Sequence, residues 1–264
     1  MASSRGEFVS WDGGCLFISK ATAVTGVHAH HAIQIAVGSE VGIRFRPNDS
    51  EPWTEYDGVI IPSGEPHAMD ATTVQANAVL FVEPETREGR ALTELYAPNA
   101  ITALPRGDAR KAAEVLFRAW REEKFRSALA DAARRVVVEL TRGVEPSTTS
   151  DERILRATAY IQGHLAEPLT LERIAAVVFL SPSRFRHLFV KEAGMAFRPY
   201  VLWRRFLLVW ELLMRGESLS AAAHDAGFAD AAHLTRTSRR MFGFPPSAML
   251  MMRRLSTDDP GQQG

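Results

Sequence analysis

The sequence has one cysteine, Cys15, so no internal disulfide can form, which suits a reducing compartment such as the cytoplasm. It has no long hydrophobic run. The most apolar stretch, Phe206 to Met214, is short and contains Glu211, whereas a membrane span needs about 20 apolar residues. The opening MASSRGEFVSWDGG lacks the basic start and apolar core of a secretory signal. A membrane partner is therefore not expected. Lysine is scarce too: Lys191 is the only one after residue 150. Positive charge there is arginine, whose fixed fork suits phosphate and guanine.

What is present fits two globular domains: 264 residues, 46% hydrophobic and 23% charged. The zero net charge is unevenly spread. Residues 1–150 hold 16 Lys+Arg against 20 Asp+Glu, and residues 151–264 hold 15 against 11. From residue 8 to about 84 the chain reads as short strands, at 15–21, 33–37, 42–46, 58–61 and 78–82, separated by Gly, Pro, Asn and Asp turns. That pattern suggests a small barrel or sandwich. Helical spacing takes over at 108–141, as two helices broken near 124–127. Residues 143–152 are linker-like, 153–255 helical, and 256–264 a disordered tail.

The C-terminal part contains a repeat. LTLERIAAVVFLSPSRFRHLFVKEAG (169–194) aligns with ESLSAAAHDAGFADAAHLTRTSRRMFG (217–243). Leu171, Ile174, Ala175 and Val178 match Leu219, Ala222, Ala223 and Ala226, and Thr170 and Ser218 stand at N-cap positions. Each copy reads as a short helix, a turn and a second helix starting near Pro182 or Asp230. This is the layout of a helix-turn-helix, although two plain helical hairpins in a bundle would share it. The second helices carry polar and basic faces: Ser183, Arg184, Arg186, His187 and Lys191 in one, His233, Thr235, Arg236, Arg239 and Arg240 in the other. A connecting helix over 197–215 would be about 28–30 Å long at about 1.5 Å per residue. Successive major grooves on one face of DNA are about 34 Å apart.

These segments resemble the AraC/XylS family of bacterial transcription regulators over about residues 153–253. The run from Gly227-Phe228 through His233-Leu234 to Phe242-Gly243-Phe244-Pro245-Pro246-Ser247 is close to the family's signature. The resemblance implies two helix-turn-helix units on adjacent major grooves of double-stranded DNA. Carried over by position, Ser183, Arg186 and His187 in the first unit, and Ala231, Ala232, Thr235 and Arg236 in the second, would face bases. Arg184, His233 and Arg239 would face phosphates. The sequence departs from the pattern at Phe179, where the first turn usually has glycine, and at Ser238, normally an apolar core position; both changes are expected to loosen packing. The apolar connecting helix would be core, or a docking face for the N-terminal region.

Half of the eight histidines lie between residues 28 and 67. His28, His30 and Gln34, followed by the Gly58–His67 segment, resemble the paired motifs of the cupin barrel. In metal-binding cupins the matching positions are His, His, Glu and His, so here Gln34 replaces a carboxylate. Residues two apart on a strand point the same way, and His67 would complete the cluster, with His31 turned away. The four residues His28, His30, Gln34 and His67 would hold a divalent transition metal, or line an effector pocket without one; a neutral amide is a weaker ligand than a carboxylate. Ile33, Ile35, Phe45, Trp53, Ile60 and Met69 are expected to form the pocket's apolar lining.

The expected fold is α+β in two parts. Residues 1–142 would form a cupin-like effector and dimerisation domain, its barrel at about 8–100 and its helices at about 108–141. Residues 153–255 would be an all-α double helix-turn-helix. The expected function is an effector-controlled transcription regulator that is not an enzyme, commonly an activator in this family, with RNA polymerase as partner and homodimerisation through the 108–141 helices. Two alternatives are a metal-dependent cupin enzyme fused to a DNA-binding domain, and an interaction protein that no longer binds DNA.

Overall fold

The computed structural model describes residues 6–20, 23–40, 42–96, 99–122, 126–147, 151–248 and 250. The expected tail, 256–264, lies outside the described residues, as does 123–125 within the expected helix break.

The N-terminal region opens with eight strands: β1 (Glu7–Trp11), β2 (Gly14–Ser19), β3 (Ile33–Gly38), β4 (Ile43–Arg46), β5 (Thr54–Tyr56), β6 (Gly58–Ile61), β7 (Ala68–Asp70) and β8 (Asn77–Val82). Then come α1 (Arg87–Tyr96), β9 (Thr102–Ala103), α2 (Arg106–Glu122) and α3 (Arg126–Leu140). The strands form a six-stranded sheet, β1-β2-β8-β3-β6-β9, and a three-stranded sheet, β5-β4-β7. The cupin-like unit is thus two facing sheets rather than one closed ring.

Every residue of β2, β3 and β8 is buried, because the large sheet is covered on both sides. Alternation sorts the side chains. Leu16, Ile18, Ile33, Ile35, Val37, Ile60, Leu80 and Val82 pack against α2 and α3. Cys15, Phe17, Ala36, Val59, Ile61, Val79 and Phe81 turn the other way, toward Ile43 and Phe45 of the small sheet. This corrects the expected pocket lining. Ile33 and Ile35 have the opposite parity to Gln34, and Ile60 is paired with Ile35, so all three lie under the helices. Trp53 is also outside the lining, with the Arg46 guanidinium 4.6 Å above its ring. Phe45 and Met69 do belong to the inner face.

The C-terminal region is helical: α4 (Glu152–Gly163), α5 (Leu171–Val177), α6 (Pro182–Ala193), α7 (Phe197–Arg215), α8 (Leu219–Asp225) and α9 (Ala231–Phe242). Local chemistry sets the ends. Asp151, Thr170, Ser181, Ser218 and Asp230 cap the N-termini of α4, α5, α6, α8 and α9 with side-chain acceptors. Pro182 opens α6, and the left-handed glycines Gly194, Gly216 and Gly243 close α6, α7 and α9.

The two helix-turn-helix units are packed differently. The first has a core of its own: Ile154, Ile161, Ile174, Ala175, Phe185, Phe189, Phe197 and Tyr200. The second shares a core with the N-terminal region. Trp203, Phe206, Trp210, Leu234 and Phe242 join the cluster that holds Phe8, Phe17 and Phe81. Trp210 meets Phe17 edge-on at 4.4 Å between ring centres. The apolar face of α7 is therefore both core and docking face. Ser238 is buried, and its hydroxyl donates to the Phe244 carbonyl at 2.8 Å, so the expected loosening there is offset by a satisfied hydrogen bond.

Candidate nucleic-acid interface and histidine site

α6 and α9 are the second helices of the two units. On α6, Ser183, Arg184, Arg186, His187 and Lys191 are all exposed, while Phe185 and Phe189 point inward. On α9, Ala232, Arg236, Arg239 and Arg240 are exposed and Ala231, His233 and Thr235 are half-buried, with Leu234 and Met241 inward. Thr235 donates its hydroxyl to the Ala231 carbonyl one turn back. The His233 ring lies 5.5 Å from Phe228. Among the described residues, Arg184, Arg186, Arg236, Arg239 and Arg240 make no ion pair, whereas half-buried Arg90 and Arg204 do. Two helices thus carry exposed guanidinium groups outside any ion pair among the described residues. The 19-residue α7 joins the two units as a rod of about 28 Å.

Sequence reasoning missed one residue that fixes the two units together. Arg205, in the middle of α7, donates to the carbonyls of Leu165 at 3.1 Å, Gly227 at 2.7 Å and Glu167 at 3.0 Å. An Arg204-Arg205 pair in an apolar helix was the available signal, but the partners of Arg205 are backbone atoms far away in sequence.

The histidine site forms where the chain enters β3. His28 and His67 exchange backbone hydrogen bonds, each 2.9 Å, which sets their rings 4.4 Å apart. His30 lies 5.1 Å from His67, ring to ring. One ring nitrogen from each of the three lies within 4.8 Å of the others, and all three are buried. His31 points away, as expected, and bonds Glu85 at 2.9 Å. Gln34 joins the cluster: its Oε1 position is 2.9 Å from His30 Nε2 and 3.2 Å from His67 Nε2.

Protons can be placed from the partners. Each Nδ1 faces a backbone carbonyl at 2.9 Å: Gly26 for His28, Ala32 for His30 and Glu65 for His67. Carbonyls only accept, so each Nδ1 donates and each Nε2 carries the lone pair. Burial reinforces the neutral state. It lowers the pKa of His28, lowers that of His30 strongly with help from the neighbouring rings, and lowers that of His67 to about 3. Two lone pairs facing one amide require donors, so the metal-free cluster is satisfied when Gln34 turns its NH2 group inward, one N–H to each ring. A carboxylate could not do this.

The same donor set fits a divalent transition metal. Three imidazoles with carbonyl-anchored Nδ1–H groups and converging Nε2 lone pairs match the way proteins orient metal-binding histidines. The opposite amide rotamer would add the Gln34 oxygen as a fourth, neutral ligand.

The surroundings of this site come partly from the C-terminal region. Trp203 and Phe242 lie 5.9 and 6.3 Å from the His30 ring. The Gly26 N–H donates to the Gly243 carbonyl at 3.1 Å. Nearby, Arg204 pairs with buried Glu83, which also accepts from Trp203 Nε1 at 3.4 Å. Burial pushes the Glu83 carboxyl up, and the Arg204 charge works against that shift.

Comparisons with known proteins bear on both regions. A family described as a helix-turn-helix domain matches residues 174–252. The regulatory protein PocR of Salmonella typhimurium is 33% identical over 109 residues, covering 41% of this chain and 35% of PocR. The probable transcriptional regulator LumQ of Photobacterium leiognathi is 32% identical over 89 residues, covering 33% of this chain and 36% of LumQ. The chain spans about a third of the length of these relatives. The crystal structure of ToxT from Vibrio cholerae overlays 92% of this chain and 98% of ToxT, with a TM-score of 0.59 and 11% identity. That likeness is one of fold: a sheet-rich N-terminal region followed by helices. Among the described residues, no helix is long and apolar enough to cross a membrane. The family match and the repeated capped units show that this chain carries a helix-turn-helix domain, similar to those parts of the regulators PocR and LumQ.

Proposed function

We propose that the protein is a sequence-specific, DNA-binding transcription regulator of the cytoplasm whose N-terminal region senses an effector. The observation that carries this reading is the pair of exposed arginine faces on α6 and α9, free of ion pairs and linked by α7. In this reading Arg186 and Arg236 grip guanine edges, with Ser183, His187, Ala231, Ala232 and Thr235 beside them. Arg184, His233 and Arg239 hold phosphates. A two-bonded arginine–guanine contact discriminates by about 1–3 kcal/mol, whereas Ala231 and Ala232 offer only apolar contact, so the first unit carries more of the specificity. Activation through RNA polymerase, and pairing of two chains through α2 and α3, complete the proposal. Its test is footprinting of the full chain on DNA flanking its own gene. Protected sites of about two major grooves, lost in Arg186→Ala and Arg236→Ala, support it. Unchanged affinity in both variants rejects this placement of the reading helices.

The effector reading rests on the fold. One ToxT structure of the same fold holds an unsaturated fatty acid, and in this chain the inner sheet face packs against helices of the C-terminal region. A second reading, a metal effector, is favoured by the converging Nε2 lone pairs of His28, His30 and His67 with Gln34 beside them. The metal would act as a structural cross-link between two backbone segments, the 28–34 stretch and the one that holds His67. An enzymatic role is disfavoured, because Trp203 and Phe242 pack against the buried His30 ring and the relatives are regulators.

A further inference from the structure

We propose that the C-terminal cap of α9 forms one wall of the histidine site, so that a divalent metal held by His28, His30 and His67 fixes the seating of the second reading helix and leaves the first free. This rests on the metal reading above and extends it to regulation.

Three contacts join the cap to the site. Gly26 donates its N–H to the Gly243 carbonyl, while the Gly26 carbonyl accepts from His28 Nδ1, so one peptide segment holds both the ligand and the helix end. A β-carbon placed on Gly243 would meet the Gly26 carbonyl oxygen at 2.4 Å and His28 Nδ1 at 3.0 Å, so the backbones touch with no side chain between them. Phe242, the last residue of α9, stacks on His30 at an interplanar angle of 23°.

Metal binding would pull on all three. Tetrahedral coordination with Zn–N bonds of about 2.0–2.1 Å brings the nitrogens to roughly 3.4 Å from one another, whereas they now spread to 4.8 Å. The rings that move inward are those bonded to Gly26 and stacked on Phe242. The first unit is attached elsewhere: its α6 meets the N-terminal region through Glu192, which accepts from Arg90 at 2.8 Å. Among the described residues, none of the ring contacts of the three histidines reaches α4, α5 or α6. Metal occupancy therefore acts on α9 selectively. By thermodynamic reciprocity, a docked α9 must raise metal affinity by the factor with which metal stabilises docking.

The test uses the full chain with Zn²⁺ as the probe. Calorimetry measures binding, and amide hydrogen exchange follows residues 231–244 and 182–194 with and without saturating Zn²⁺. Two variants loosen docking and keep every ligand. Gly26→Phe has room for its β-carbon, 3.6 Å from the Gly243 oxygen, but its ring presses on the α9 cap. Glu211→Ala removes the Ser10–Glu211 bond between α7 and β1. The expected result is one Zn²⁺ per chain, exchange slowed about tenfold at 231–244 and unchanged at 182–194, and Zn²⁺ affinity lowered about tenfold in the variants. Tight Zn²⁺ binding with no change at 231–244, or equal slowing in both units, overturns the coupling and leaves the metal reading standing. Absence of Zn²⁺ binding in both the wild type and Gln34→Glu overturns the metal reading, and this proposal with it.

Discussion

The guanidinium of Arg205 donates to the Gly227 carbonyl at 2.7 Å, joining the connecting helix to the turn of the second helix-turn-helix unit. The same side chain reaches Leu165 and Glu167 beside the first unit, so one residue fixes the relative placement of both reading helices. Charged hydrogen bonds contribute about 1.5–3 kcal/mol each, not additively. Arg205→Ala is expected to lower stability by roughly that amount in urea unfolding, and to weaken binding to a two-groove site more than to a half-site. Arg205→Lys should fail to rescue it, because an ammonium cannot present the planar fork. Equal losses on both DNAs would mean that Arg205 only supports folding.

Gly227 and Phe179 occupy corresponding turns, both left-handed, at φ 75° and 56°. A β-carbon at Gly227 would lie 2.6 Å from the Leu165 carbonyl and 2.9 Å from Arg205, whereas Phe179 is 89% exposed. Crowding, in addition to the dihedral angle, is what reserves the second turn for glycine. Phe179→Gly relieves a left-handed cost of about 1–2 kcal/mol, offset by about 0.5–1 kcal/mol of chain entropy. It should be neutral or stabilising by up to about 1 kcal/mol, while Gly227→Ala should destabilise. A clear loss of stability in Phe179→Gly would show that the ring makes contacts that matter.

The C-terminal region was legible because its determinants are local. Caps at Thr170 and Ser218, the starts of both second helices and the 197–215 rod follow from residues within a turn of each other. The N-terminal region was less so. β1, β5 and β7 were not anticipated, nor was α1, whose buried Gly89 and Leu92 give too short an apolar stripe to stand out. The histidine cluster could be read from spacing, since parity places His28, His30 and Gln34 together. Parity should also have excluded Ile33 and Ile35 from its lining. That Trp203 and Phe242 would enclose the cluster could not be read at all, because it depends on how two regions more than 150 residues apart dock.

Phosphate and base contacts separate by salt. In the proposed interface Arg184→Ala and Arg239→Ala each remove a phosphate contact, so affinity should fall similarly on cognate and unrelated DNA. The slope of log affinity against log salt should shrink by about 0.9 per contact. Arg186→Ala should instead cost about 1–3 kcal/mol on the cognate site and relax preference at one base pair. Fluorescence anisotropy across a salt series measures both. A change of slope without lost preference in Arg186→Ala would move it to the phosphate group.

The metal-free histidine cluster should make stability depend on pH in a defined direction. Burial holds the folded-state pKa of His67 at about 3 and lowers those of His28 and His30, while an unfolded histidine titrates near 6.5. Between pH 6.5 and about 3 the unfolded chain binds more protons than the folded one, so stability falls as pH drops through that window. Above pH 6.5 both states are neutral at these rings, and the contribution is fully present. Carboxylates titrate mostly below this range, so urea midpoints at pH 7.5, 6.5 and 5.5, with chelator present, isolate the histidines. The wild type should lose stability progressively below pH 6.5, and His67→Asn should lose less over the same interval. Identical slopes would mean that His67 is protonated in the folded protein, and that Gln34 then meets it with the amide oxygen rather than the NH2 group.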